Sequence, residues 1–276
     1  MIKEILKRAG RYIVKGVPVK KVTAEICNLS SSKKLDGMRI VITGGGSGLG
    51  LAMARKFISE GANVLIAGRR KDVLEKAAKE TMCEYAVLDV TQPSTFETFF
   101  KDAKTKLGGV DVLVNNAGVS LHETSFFDVT PEGFDKQIAT NLKGAFFMTQ
   151  AFLKNAVGEN TRGNVLFISS ETGETADCRP YGYTKAAINS MVQGLAYLFK
   201  NKGIRINAIA PGITASAMTG IDSDSNISAG DYGEGRYYLP EEVAEVAAFI
   251  LSPASGCISG QIITCNNAHT INARWK

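Results

Sequence analysis

The sequence predicts a single α/β domain of Rossmann type, a doubly wound sheet of seven parallel strands, preceded by a basic N-terminal extension over residues 1–37. Three observations predict it. From Met38 onward, short apolar runs alternate with longer segments of helical period, the signature of βαβ units whose parallel sheet is covered on both faces. A glycine-rich segment, Thr43-Gly-Gly-Gly-Ser-Gly-Leu-Gly50, joins the first apolar run to the first helical segment. Polar and small-residue signatures then follow successive strands, at the edge where open parallel sheets bind ligands.

The expected strands, each a short apolar run such as Ile40-Val-Ile42, cover 39–43, 63–67, 83–88, 110–114, 164–169, 205–209 and 261–265. The expected helices cover 48–59, 71–80, 94–106, 131–157, 181–200 and 240–251. At 276 residues, 45% hydrophobic and 21% charged, the chain can fill one core, so residues 38–276 read as one domain. Residues 219–235, rich in Gly, Ser and Asp, read as a loop after a strand end, a candidate lid.

In the extension, Ile2, Ile5, Leu6, Ala9 and Ile13 recur at helical spacing among lysines and arginines, a basic amphipathic helix suited to docking on this protein or a neighbouring subunit or to lying on an anionic membrane surface, with the narrow apolar stripe favouring docking. Residues 1–34 hold nine Lys or Arg against Glu4 and Glu25, a net of +7 in a chain of net +5, so the remainder carries −2. The body has no basic aromatic stripe, which argues against nucleic acid as a partner. Cys27, Cys83, Cys178, Cys257 and Cys265 form no Cys-x-x-Cys pair, and two histidines cannot complete a metal site with them, so no metal is expected. Reduced thiols, no apolar stretch of membrane-spanning length and no signal-peptide pattern lead to a cytoplasmic expectation.

The chemistry is carried by a series of motifs. Glycines at 44, 48 and 50 let the backbone approach a phosphate, and the amides of the following helix N-terminus favour its charge. The same loop alone also reads as an ordinary surface turn, and its spacing is not Gly-x-Gly-x-x-Gly. Asp89-Val90, Asn115-Asn-Ala-Gly118, Ser169-Ser170 and Pro211-Gly212 follow the third to sixth strands. Tyr181 and Lys185 stand four apart on one helical face. A phenol ionises near pH ~10, too high for proton transfer near neutrality, and an adjacent ammonium lowers that value. Tyr183 has no lysine four residues on.

These motifs, in this order and near this spacing from about Met38 to Thr264, resemble the compact branch of the short-chain dehydrogenase/reductase family, and most closely its 3-oxoacyl-carrier-protein reductases. The resemblance implies Tyr181 as acid/base, Lys185 as the group that lowers its pKa and binds the nicotinamide ribose, Ser170 as the polariser of the carbonyl, and Asn141 as the holder of a water behind the lysine. It implies a dinucleotide cofactor along Gly44, Ser47, Gly48, Leu49 and Gly50, with Asp89 and Val90 beside the adenine, Asn116, Ala117 and Gly118 near the adenosine side, and Pro211, Gly212, Thr214 and Ser216 near the nicotinamide. The second strand ends in Ala67-Gly-Arg-Arg-Lys71, with no acidic residue to repel a 2′-phosphate, and a guanidinium there can pair with one. Arg69 therefore points to NADP(H).

The expected activity is hydride transfer between nicotinamide and a carbonyl or secondary alcohol, on a 3-oxoacyl thioester or a keto-sugar. The resemblance also implies a homodimer or homotetramer built on helices 131–157 and 181–200, where Phe146, Phe147, Phe152, Met191, Leu195 and Leu198 supply apolar surface. A catalytically silent NADP-binding sensor is the alternative from another class; the intact Ser170, Tyr181 and Lys185 argue against it. A nucleotide-sugar epimerase of the extended branch is disfavoured by the glycine spacing and the short C-terminal part. Three departures stand out. The Ser170 to Tyr181 interval is two residues shorter than is common, Asn266-Asn267 replaces a frequent Gly-Gly pair, and the basic extension has no counterpart in the common short members.

Overall fold

The structure, a computed structural model, describes residues 33–158, 162–222, 227–229, 232 and 235–271. The expected amphipathic helix of the extension and part of the candidate lid lie outside the described residues. Seven strands, β1 (Arg39–Thr43), β2 (Asn63–Gly68), β3 (Glu84–Val87), β4 (Val112–Asn115), β5 (Gly163–Ile168), β6 (Ile204–Pro211) and β7 (Ile262–Cys265), form one parallel sheet ordered β3-β2-β1-β4-β5-β6-β7. The strand order reverses between β1 and β4, which opens a crevice at their carboxyl ends.

Strand alternation sorts side chains onto two cores. Ile40 and Ile42 of β1 pack with α1 (Gly48–Ser59), α2 (Lys71–Thr81) and α7 (Pro240–Leu251), around Phe57, Leu74 and Val243. Val41, between them, faces the opposite side, where Phe100, Phe152 and Val192 come from α3 (Phe96–Leu107), α5 (Ala145–Gly158) and α6 (Pro180–Phe199). Arg205 on β6 gives its guanidinium protons to the carbonyls of Ile250, Leu251 and Ser252 at 3.0–3.2 Å, so the carbonyls that end α7 meet a cation. Leu35, fully buried, and the Glu60 carboxylate, which accepts from Lys34 N and Nζ and pairs with Lys56, anchor the chain before β1.

The expected helix over 131–157 is corrected: it is interrupted. α4 (Pro131–Gln137) passes into a π-helical turn, Ile138–Gly144, before α5 begins. The wider turn carries the buried Asn141, whose Oδ1 accepts from Val119 N at 2.8 Å while Nδ2 donates to Val119 O at 2.9 Å. An amide pairing both ways with a loop backbone is a tertiary demand, and π turns of this kind gather at functional sites. A Cβ on Gly144 would stand 2.6 Å from Val90 O, so this turn also packs directly on the backbone after β3.

Gly50, in the first turn of α1, has no room for a side chain: a Cβ there would overlap the Gly44 carbonyl oxygen and stand 2.6 Å from Asn116 Nδ2. Gly50→Ala is expected to cost about 1–3 kcal/mol by overpacking, read as a lowered urea midpoint; an unchanged midpoint would show that the turn yields.

Candidate active site

The β1–α1 turn is built by β4 as much as by its own sequence. Gly44 and Gly48 take φ of 67° and 53°, the left-handed region that glycine enters without cost. Asn116 Nδ2 donates to the carbonyls of Thr43 and Gly44, each at 3.0 Å. The Thr43 hydroxyl accepts the amides of Asn116 and Ala117, each at 3.1 Å. Asn116 thus braces the turn with its amide protons. Ser47 is extended before α1 and makes no capping bond with its side chain, and Leu49 turns its side chain into the core, leaving the amides of this first turn at the crevice.

At the adenosine end of the expected cofactor path, Arg69 and Arg70 are exposed and their side chains make no hydrogen bond or ion pair with the described residues, while the Arg70 carbonyl accepts Leu74 N at 3.1 Å. Asp89 closes a turn, its Oδ1 accepting from Thr91 N and Oγ1, and Val90 is buried against the second core. Across the sheet, the loop after β6 is pinned to Tyr238, which donates its amide to Ile213 O at 3.0 Å and accepts from Ala215 N at 2.8 Å. Thr219 Oγ1, which no sequence pattern marked, donates to Thr214 O and accepts from Ser216 N. Gly48 and Ser216 line one cavity of about 460 Å³ between α1 and this loop. His122 Nε2, 2.7 Å from Met218 O, joins the loop after β4 to the same region.

Ser170 follows β5 by two residues and caps a short 3-10 turn, Glu171–Gly173. Its Oγ accepts from Thr172 N at 3.2 Å and Thr172 Oγ1 at 3.1 Å, so its own proton is left to give away, and it acts on the Tyr181 hydroxyl. Tyr181 and Lys185 occupy the first turns of α6. Lys185 is buried, donates Nζ to Ile168 O at 2.7 Å, and lies 5.3 Å from the centroid of the Tyr181 ring. Two further residues that sequence reading missed hold this arrangement. Asn189 accepts from Ser169 Oγ at 2.6 Å and donates to Gly173 O, and a Cβ on Gly173 would press on the Lys185 backbone at 2.8 Å. Asn189 stands one helical turn beyond Lys185, a spacing that could have found it.

One expectation about this pair is corrected. Lys185 does not depress Tyr181 here: burial pushes the phenol up to about 12, opposed by the Ser170 hydrogen bond and the Arg179 charge. The ammonium lies against the ring face, and burial lowers Lys185 itself to about 8. The water-holding role expected of Asn141 is also narrowed, since its carboxamide is committed to Val119 and, through Nδ2 at 3.3 Å, to Thr184 Oγ1.

Lys185 holds its proton less tightly folded than unfolded, so its full cost to stability is present below about pH 8 and is relieved as pH rises toward 10.5. Relative to Lys185→Met, the wild type is expected to gain roughly 2 kcal/mol between neutral pH and pH ~10 in urea unfolding; parallel pH dependences for the two proteins would refute it.

The chain is similar to known proteins along most of its length. A family model described as "Enoyl-(Acyl carrier protein) reductase" matches residues 44–267. The chain is 30% identical over 252 residues to Short-chain dehydrogenase reductase 5 of Arabidopsis thaliana, covering 87% of this chain and 97% of that one. It is 32% identical over 240 residues to a 3alpha-hydroxysteroid dehydrogenase of Mediterraneibacter gnavus, covering 83% and 95%. Among solved structures, a 3-ketoacyl-(acyl-carrier-protein) reductase from Brucella melitensis complexed with NADH superposes with a TM-score of 0.79 at 27% identity, covering 86% of this chain and all of that one. The reversed strand order, the glycine turn at its crevice and these relatives along most of its length make the chain an oxidoreductase of the short-chain dehydrogenase/reductase family.

Proposed function

We propose that the chain is an NADP(H)-dependent carbonyl reductase, with the reverse alcohol dehydrogenation on the same groups. The observation that carries this reading is Tyr181 set beside a serine hydroxyl with a spare proton, above a buried ammonium, at the carboxyl edge of a parallel sheet. The protein's own groups fit a dinucleotide. The Gly44–Gly50 turn has no Cβ at its closest approaches, and the start of the twelve-residue α1 offers amides and a positive dipole end to a pyrophosphate.

The unengaged Arg69 suits a 2′-phosphate, for which an aspartate or glutamate would be repulsive. Asp89 and Val90 would flank the adenine, Asn116 to Gly118 the adenosine side, and Pro211, Gly212, Thr214 and Ser216 the nicotinamide. The NADH bound to the Brucella reductase supports a nicotinamide and is neutral on the phosphate.

A bound nicotinamide supplies the hydride to the carbonyl carbon. Tyr181, kept neutral by burial, gives its proton to the substrate oxygen, which suits the reductive direction. Ser170 donates to the same oxygen and stabilises the charge that develops there. The phenolate left behind lies beside Lys185, which burial makes readier to release a proton back to it. Asn141 would serve a proton path through the main chain of its π turn, its side chain being committed. The substrate class we favour is a ketone on an acyl thioester or a sugar.

Phe146, Tyr183, Tyr197 and Leu198 on α5 and α6 are exposed, whereas Phe152 is spent on the core. We place a homodimer or homotetramer contact there, and the unpaired thiols of Cys83, Cys178, Cys257 and Cys265 suit a reducing, cytoplasmic setting.

Nucleotide oxidation should be followed on 3-oxoacyl thioesters, simple ketones and keto-sugars. Turnover with NADPH that Tyr181→Phe lowers by about 10³-fold or more is expected, with Arg69→Glu costing NADPH about tenfold in kcat/KM while sparing NADH. NADPH binding without turnover on any carbonyl would favour the silent sensor. Light scattering is expected to give a dimer or tetramer mass, and a monomer would remove the α5–α6 contact.

A further inference from the structure

A carboxylate seldom lies buried beside a catalytic serine without work to do, and Glu171 is 7% exposed. Its Oε1 accepts from the Tyr232 hydroxyl at 2.8 Å. Its Oε2 accepts from Asn266 Nδ2 at 2.9 Å and faces His269 Nδ1 at 3.3 Å. Among the described residues no lysine or arginine pairs with it; Tyr232 and Asn266 donate to it and the His269 ring stands beside it. Tyr232 does double duty: the same hydroxyl accepts the Ile213 amide at 2.6 Å. Burial and the neighbouring carboxylate keep that phenol protonated, so it remains a donor to Glu171. A continuous chain of hydrogen bonds therefore runs from the loop after β6, through Tyr232, to the residue next to Ser170, and on to the C-terminal turn.

The surroundings are shaped to this chain. A Cβ on Gly212 would overlap the Tyr232 hydroxyl and stand 3.0 Å from Asn266 Cβ, so the glycine that follows β6 makes room for both partners. The His269 and Tyr232 rings pack with centroids 4.3 Å apart. Asn267 and Ala268 take φ of 48° and 65°, two successive left-handed residues neither of which is glycine. Such backbone persists where neighbours over-determine it. Here Asn266 supplies the hold, with one amide proton on Glu171 and the other on Thr270 Oγ1 at 2.9 Å. Glu174, on the same turn as Glu171, adds a second tie by accepting from Thr264 Oγ1 at 2.7 Å.

We propose that Glu171 is a positioning residue that locks the turn bearing Ser170 to the 212–216 loop and to the strained C-terminal turn, fixing the proton-donating side of the site against its nucleotide-holding side. The proposal rests on the roles given above to Ser170 and to that loop. Glu171→Gln keeps the volume but replaces one of two acceptor oxygens by a donor, so either Asn266 Nδ2 or the Tyr232 hydroxyl proton loses its acceptor whichever way the amide turns. The double variant Glu171→Gln/Asn266→Asp reverses donor and acceptor and restores the pairing.

In the full chain, three quantities decide it: NADPH affinity by nicotinamide fluorescence, amide exchange at Ile213 without nucleotide, and the thermal midpoint. Glu171→Gln is expected to weaken NADPH about tenfold and to speed Ile213 exchange by a similar factor, with a midpoint within about 4 °C of wild type. The double variant is expected to recover both within about threefold. Wild-type affinity and exchange in Glu171→Gln, or losses that the double variant leaves in place, would overturn the proposal. Should Glu171→Gln fail to fold, Tyr232→Phe carries the test, since it removes the acceptor of the Ile213 amide: faster exchange there with weaker NADPH binding supports the lock, and unchanged values overturn it. If the wild type does not bind NADPH, the cofactor reading fails, while the exchange measurement still decides the lock.

Discussion

The structure depends on how closely two backbones meet at the sheet's reversal point. Asn116 places both amide protons on carbonyls of the β1–α1 turn, and Thr43 answers with a hydroxyl that accepts two amides from the β4 loop. These bonds are reciprocal and local, and they join segments more than seventy residues apart. They leave no space for a side chain at Gly50 and fix the axis along which α1 points its free amides. The shape of the turn is thereby a property of the fold, set by its own hydrogen bonds.

On the other side of the crevice the constraint is electrostatic. A buried ammonium and a half-buried phenol stand within one helical turn, and burial pushes each toward its neutral form. Lys185 meets one carbonyl, Ile168 O, and an aromatic face, a poor replacement for hydration. The fold spends stability here, and the surrounding braces from Asn189, Asn141 and Gly173 hold the pair where relaxation would otherwise move it.

Much of this was legible in the chain. The alternation of apolar runs and helical segments located all seven strands to within a few residues, because a sheet buried on both faces demands nearly uninterrupted apolar runs. The motif residues fell at strand ends for the same reason that any parallel sheet collects its ligands there. What could not be read arises from contacts between distant segments. The π turn exists because Asn141 must face Val119, and a helical pattern holds no trace of that need. Glu171 sits next to a marked serine, yet its partners lie 61, 95 and 98 residues away. The rise of the Tyr181 pKa was not legible, because sequence spacing gives proximity along a helix but neither the depth of burial nor the face of the ring that the ammonium meets.

The two arginines after β2 differ from every other polar group discussed. Their exposed side chains make no hydrogen bond or ion pair among the described residues. A position without structural duties can change its chemistry at almost no thermodynamic penalty. This edge of the sheet is therefore free to vary: descendants of this sequence could change its charge without disturbing the fold, while the strapped turn and the buried lysine leave little room for substitution.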